Sequence, residues 1–396
     1  MATPEAGHTV LVVPADTFIA LTVVRSLGRR GVRVVGLSSE EGVGRFSRYC
    51  AAHWDMPKEK DDLDKVVLDL VRKEKITHIF ATSDPAIMRL NRHREELEQH
   101  ATLLFPPPET VALAIHKDKT LACARRVGVP CPQTLVIASE ADIAQAADLQ
   151  FPVVLKPRHQ DIAVPAVKGP SFRVKYCASY EELVRELSVF RESGDYPLVQ
   201  EYCEGRGAGI EVLMRKGRPL LLFQHRRIRE YPVSGGVSTC CQSVELDAKL
   251  RDWSIALLQE MQWDGVAMVE FRQNPATGRA VLMEVNGRLW GSIPLAVHAR
   301  CDFPYELFRT SLPGAVLEFP PPYRVGLQCR LLAAETKWLK DAVLHSPIPA
   351  WRAIAQYLSG FRPDMTYYVW AWDDPRPALA TFFGRIQRLF SGLVRR

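Results

Sequence analysis

From Thr9 to Glu98 the chain alternates short apolar runs with stretches of helical period. Residues 9–14 (TVLVVP) read as a buried strand, and Phe18 to Arg30 reads as a helix that stops at Gly31, a natural residue just past a helix end. Val32 to Leu37 is the next strand. A strand–helix–strand unit of this length joins parallel strands, so the region predicts a parallel sheet covered by helices. Asp64–Glu74, residues 76–82 (ITHIFAT) and Pro85–Glu98 extend the alternation, and Pro106–Pro108 closes it. The run lacks G-x-G-x-x-G, which removes the support for dinucleotide binding. Ser83 and Asp84 follow a strand at the end where open sheets bind ligands. They equally suit the cap of the following helix.

The chain is long enough for two or three structural units: 396 residues, 47% apolar and 24% charged. Its net charge of +6 favours anionic ligands such as nucleotides but gives no nucleic-acid-binding patch. The nine cysteines form no CxxC pair and fit no zinc spacing, so reduced, mostly buried thiols in a cytoplasmic protein are expected. Neither a signal peptide nor a membrane span is apparent.

A second constraint lies at 265–292. Gly265–Arg272 and Ala280–Val285 are apolar runs, each with a carboxylate near its end, separated by the turn residues Asn274, Pro275 and Gly278. Alternation puts Met268, Glu270 and Arg272 on one face and Leu282, Glu284 and Asn286 on one face of the partner strand. Paired around the turn, Glu270 and Glu284 converge beside Asn286, with Arg288 just beyond. Such an oxygen-rich set suits Mg²⁺, which takes one or two carboxylates and completes its shell with water and phosphate oxygens. Two solvent-facing acids on an edge hairpin are the plain alternative.

Upstream, Lys119 opens a helix, Lys156 ends the apolar strand 153–156, and Gln200-Glu201-Tyr202 switches from strand to loop. Ile210–Met214 and Leu220–Gln224 read as a hairpin, followed by the basic, glycine-containing segment 225–239. An ATP site needs cations for phosphates, an apolar slot for adenine and Mg²⁺, and separate elements here offer all three. Arginine forks bind carboxylates in a bidentate way, so a carboxylate substrate is expected near Arg227, Arg229 and Arg288. His225 is a minor candidate for a base.

In this order the motifs HKDKTLACARRVGVPCP, FPVVLKPR, LVQEYCEG, GIEVLM, MVEF and MEVNGR resemble the ATP-grasp superfamily, in the branch of carboxylate–amine ligases, carbamoyl-phosphate synthetase and biotin carboxylase. The resemblance covers roughly residues 105–312. It implies an α/β chain, α+β in its ATP-grasp part. A Rossmann-like domain (1–105) would precede an N-terminal lobe with linker helices (106–196), a C-terminal lobe (197–319) and a helical extension (320–396). It implies that Lys119 and Lys156 contact ATP phosphates. Glu201, Tyr202 and Cys203 would hold the adenine, and Glu211 would make a polar contact in the nucleotide region, a half-exposed strand acid being the alternative. Glu270, Glu284 and Asn286 would bind Mg²⁺, with Mn²⁺ as a substitute, and Arg288 would face the reacting group. The implied reaction activates a carboxylate as an acylphosphate for attack by an amine. A bicarbonate-phosphorylating enzyme and a non-catalytic ATP-binding module remain as alternatives. One departure is the segment 157–175, which has a single glycine, Gly169, where the family carries a glycine- and serine-rich loop. Expected partners are a small carboxylate and a small amine, without nucleic acid; a homodimer is left open. Pro377–Val394 reads as a basic amphipathic helix, which either docks on its own domain or makes a weak membrane-surface contact.

Overall fold

The computed structural model describes residues 7–39, 42–56, 63–158, 174–233, 237–318 and 321–384. The first apolar run is β1 (Thr9–Val13), fully buried, followed by α1 (Phe18–Gly28) and β2 (Arg33–Ser38). β3 (Ala52–Asp55), α2 (Leu63–Lys73), β4 (His78–Ala81), α3 (Asp84–Asn91), α4 (Arg94–Glu98) and β5 (Thr102–Leu103) complete the unit. The strands run parallel in the order β3-β2-β1-β4-β5. Ser83 caps α3 by accepting from the Ala86 amide at 3.4 Å. That leaves the Asp84 carboxylate available to another partner.

Two linker helices, α5 (Pro108–Ile115) and α6 (Lys117–Arg126), lead into a small antiparallel sheet. It contains β6 (Thr134–Val136), β7 (Val153–Lys156), β8 (Lys175–Cys177) and, after α7 (Tyr180–Ser188), β9 (Leu198–Glu201), in the order β6-β9-β7-β8. A lobe boundary at 196/197 therefore falls in the wrong place. β9 pairs with β6 and β7 and belongs to the first lobe.

The large sheet is built from β10 (Arg206–Arg215), β11 (Arg218–Tyr231), β12 (Val237–Ser243), then, after α8 (Ala248–Glu260), β13 (Gly265–Gln273) and β14 (Ala280–Asn286). Short helices α9 (Ile293–His298) and α10 (Phe303–Arg309) follow. β15 (Gln328–Arg330), α11 (Leu332–His345), α12 (Ala350–Leu358) and β16 (Thr366–Tyr367) come last. The order β14-β13-β10-β11-β12-β15-β16 puts two strands from beyond residue 320 into this sheet. The C-terminal region is thus not a purely helical extension. Within the basic, glycine-containing segment, residues 225–231 and 237–239 continue the β11–β12 hairpin. Residues 376–384 are helical, and the rest of the basic tail lies outside the described residues.

One apolar core runs from Val10, Val12 and Phe80 of the parallel unit to Trp290, Phe303 and Phe308 beyond the hairpin. A second lies beneath the hairpin, where Trp263, Phe271, Leu282 and Val285 pack on α8 and α6. Gly287 permits this fit, because a Cβ there would stand 2.4 Å from the Trp263 ring. The close approach fixes the chain between Asn286 and Arg288.

Candidate functional site

The strands β13 and β14 pair with Glu270 opposite Glu284 and Met268 opposite Asn286. The Asn286 amide donates to Glu270 Oε1 at 3.2 Å and to Glu284 Oε1 at 3.4 Å, so the three side chains meet. Arg227 Nη2 donates to Glu270 Oε2 at 3.3 Å, and Lys117 Nζ lies 3.7 Å from Glu284 Oε2. Burial and then the neighbouring Glu284 charge push the Glu270 carboxyl up, and Arg227 works against them. A carboxyl raised in this way by a neighbouring acid is eased by a cation. An all-oxygen set of two carboxylates and an amide oxygen fits Mg²⁺, once the Asn286 amide turns its oxygen inward. Among the described residues no cluster of three or more His, Cys, Asp or Glu competes for a metal.

A bulge at Met283 changes the alternation. Phe271 sits opposite Leu282, so Leu282 points into the core and not along the Glu284 face. Met283 takes its place, with its sulfur 3.6 Å from Lys156 Nζ. Lys156 ends β7, whose other three residues are buried. Its Nζ donates to Gln200 Oε1 at 2.6 Å, and Gln200 is oriented by its own bond to Thr134 Oγ1 at 3.0 Å. Burial pulls the Lys156 ammonium down to about 8, an effect that Glu284 partly offsets.

Lys119 does not join this group. It is exposed, and Lys117, the first residue of α6, makes the contact with Glu284. Helix phase explains the difference: Lys117 precedes the buried Leu121 by four residues and Ala124 by seven, so it shares their face. Lys119 lies about 200° further round the helix.

Glu201 holds Arg279 through both oxygens, at 2.7 and 3.1 Å, and accepts from the Gln133 amide at 3.1 Å. The Arg279 guanidinium lowers the Glu201 carboxyl. This pair ties the small sheet to the hairpin turn. Tyr202 is 39% exposed and meets Tyr176 edge-on, with ring centroids 5.9 Å apart. The Cys203 carbonyl accepts from Arg272 Nε at 3.2 Å. These groups line the junction of the two sheets.

Glu211 is corrected outright. It is fully buried on β10, neither half-exposed nor open to a ligand, and it bonds His225 Nδ1 at 2.5 Å. Burial raises its carboxyl. Ser292 contacts the same ring at 3.1 Å, which makes His225 a structural histidine. Arg229 also departs from expectation. A bulge between Arg227 and Arg229 sets them opposite Cys241 and Cys240, on opposite faces of the sheet. Arg227 reaches Glu270, whereas Arg229 pairs with the buried Glu335 and lies over the Trp338 ring. Arg288 donates to Asp84 Oδ2 at 2.7 Å, which brings the parallel unit to the rim of the site. The segment 159–173 and Ser234–Gly236 lie outside the described residues.

Comparison with known proteins agrees with this geometry. A family described as "ATP-grasp in the biosynthetic pathway with Ter operon" matches residues 195–333. D-alanine–D-alanine ligase of Aquifex aeolicus is 24% identical over 180 residues, 44% of this chain and 59% of that protein. The chain thus spans about three fifths of that curated relative's length. The biotin carboxylase domain of Hydrogenobacter thermophilus 2-oxoglutarate carboxylase, solved as a dimer with MgADP, ADP and bicarbonate, shares the fold. It superposes at TM-score 0.64 with 17% identity, over 81% of this chain and 73% of that one. L-amino acid ligase of Bacillus licheniformis superposes at 0.59 with 14% identity, over 80% and 78%. No described helix is long and apolar enough to cross a membrane.

Proposed function

We propose that this chain, which belongs to the ATP-grasp superfamily, uses ATP and Mg²⁺ to join a carboxylate to an amine. The observation that carries the reading is the convergence of Glu270, Glu284 and Asn286 with Lys117 and Lys156 at the junction of two sheets. Glu270, Glu284 and Asn286 would hold Mg²⁺, with Mn²⁺ as a substitute; when bound, it neutralises charge on the transferring phosphoryl group. Lys117 and Lys156 supply fixed positive charge for the phosphates. The junction around Glu201, Tyr202 and Cys203 offers backbone groups to the adenine, while the Glu201 side chain stays with Arg279.

In the first step an oxygen of the substrate carboxylate attacks the γ-phosphorus and ADP leaves, giving an acylphosphate. In the second, the amine attacks the acyl carbon, phosphate leaves, and the nitrogen gives up a proton. Arg227, which bonds Glu270, and Arg288, which bonds Asp84, are the residues assigned to the carboxylate. The contribution of the chain is largely position and charge. We assign the reaction to the cytoplasm, on a small-molecule acid and a small-molecule amine, and to a dimer like that of the Hydrogenobacter domain.

A paired screen of small carboxylates and amines, read by ADP release with mass detection of products, tests the proposal. The expected result is ADP formation that needs both partners, with a new amide. Stimulation by bicarbonate alone would favour a bicarbonate-phosphorylating enzyme. MgATP binding without turnover for any pair would leave a nucleotide-binding module.

A further inference from the structure

Ser83 and Asp84 stand just past β4, at the edge where an open parallel sheet takes its ligands. The strand order turns back at this edge, because β1 has β2 on one side and β4 on the other. Thr82 locks the edge. Its amide donates to the Val13 carbonyl at 2.9 Å and its hydroxyl to the Pro14 carbonyl at 2.7 Å. Ser83 is taken up by the cap of α3. Among the described residues, Asp84 accepts only from Arg288, and its side chain is 12% exposed. A nearly buried carboxylate of the first domain is thus committed to one guanidinium, 204 positions away.

The main chain at Arg288 is set on both sides. Gly287 packs on the Trp263 ring, and Leu289 and Trp290 are buried. The guanidinium is then held at two points: Nε donates to Asp84 Oδ2 at 2.7 Å and Nη1 to the Leu289 carbonyl at 3.0 Å. Nη2 has no partner among the described residues. Arg227 differs, since it spends Nη1 on Glu230 at 3.0 Å and Nη2 on Glu270 at 3.3 Å. Arg288 is therefore a cation with a fixed stem and an open edge.

We propose that Asp84 is a positioning residue of the acid subsite, which fixes Arg288 through Nε so that Nη2 meets the substrate carboxylate. This rests on the ligase reading and adds the first domain to its site. Asp84 has two opposed effects. Its hydrogen bond removes rotational freedom from a long side chain and so favours a reactive placement of the acid. Its negative charge stands beside the seat of another carboxylate and weakens ground-state binding. The acid is held less tightly than a lone arginine would hold it, but in the orientation that the transfer requires.

Steady-state hydroxamate formation tests this, with hydroxylamine as the amine and the common amino acids, one at a time, as the acid. Asp84→Ala should lower kcat about tenfold or more. It should also lower KM for the acid, because Arg288 keeps its charge and loses its aim. Asp84→Asn keeps an acceptor for Nε and should restore most of kcat while sharing the lower KM. MgATP affinity should be unchanged in both variants. Once Arg288 is replaced by alanine, Asp84→Ala should have no further effect on kcat. Losses that multiply in the double variant would overturn the proposal. So would a raised KM with unchanged kcat, or an Asp84→Asn variant as slow as Asp84→Ala. A wild-type chain that binds MgATP but forms no hydroxamate with any acid would overturn the ligase reading, and this proposal with it.

Discussion

Two groups of acids in this chain are treated in opposite ways. In the C-terminal region Glu335 and Asp374 have fully buried side chains, and each is met by arginine: Glu335 by Arg229 and Arg330, Asp374 by Arg25 with a hydroxyl and an amide. At the hairpin, Glu270 and Glu284 keep 20% and 30% of their side chains exposed and face each other. They share one amide, and their cationic contacts are longer, at 3.3 and 3.7 Å. Saturation makes a structural tie. Incomplete compensation makes a ligand site, because the missing charge is left for something that arrives from outside.

The strongest way to break this contrast is to remove a tie. Asp374→Ala leaves Arg25 buried without its partner and removes the acceptor of Ser47 and Arg48. Removal of one partner from a buried pair costs about 3–5 kcal/mol. Urea unfolding should show a loss of that size, with ADP formation per folded molecule unchanged. A loss below about 1 kcal/mol would mean that Asp374 is not a tie between the first domain and the C-terminal region.

The converse change is made at the hairpin. Glu284→Gln removes like-charge repulsion, so the ligand-free protein should melt at the same temperature or slightly higher. Turnover should fall by at least about a hundredfold, the scale on which one electrostatic group matters at a transfer site. Wild-type turnover in this variant would sink the metal assignment. A large drop in melting temperature would move Glu284 into the class of Asp374.

The same contrast explains what could be read from sequence. Strand-end carboxylates flanking a turn announced Glu270 and Glu284, and alternation brought in Asn286. The bulge at Met283 left no such signal, so Leu282 was assigned to the wrong face. A second bulge, beside Ile228, parted Arg229 from Arg227. Lys117 and Lys119 differ by two residues, and the phase of α6 separates them: counting back from Leu121 and Ala124 would have selected Lys117. Glu211 and His225 meet through strand register, which single-strand periodicity does not contain. The ties of the C-terminal region were illegible for a related reason. Asp374 and Arg25 are 349 positions apart, and neither has a local pattern that points to the other.

An intermediate effect is expected at Lys156, a buried cation held near the acids. Burial lowers its ammonium to about 8 from 10.5. Below pH 8 the free protein carries the charge that phosphates require; above it, a proton must be taken up on binding. Affinity for MgATP should therefore weaken as pH rises from 7 to 9, by roughly a factor of ten. For folding the sign is opposite: between pH 8 and 10.5 the unfolded chain holds the proton and the folded one does not, so stability rises with pH there. Calorimetric titration across this range checks the first statement. Lys156→Arg should flatten the profile, and an unchanged slope in that variant would assign the effect to another group.

The smallest effect should come from the exposed pair that joins the two sheets. Arg279 is 56% exposed and Glu201 25%, so their two hydrogen bonds work in high dielectric and are screened by salt. Arg279→Ala should cost less than about 1 kcal/mol in unfolding. Its consequence should lie in the junction, because Glu201 also fixes the Gln133 amide and precedes Tyr202 and Cys203. Loss of Arg279 frees the small sheet from the hairpin turn, and a few-fold weaker affinity for MgATP is expected without a matching loss of stability. If stability and affinity fell together by several kcal/mol, an exposed pair would be acting as the buried ones do, and burial would no longer separate ties from ligands in this chain.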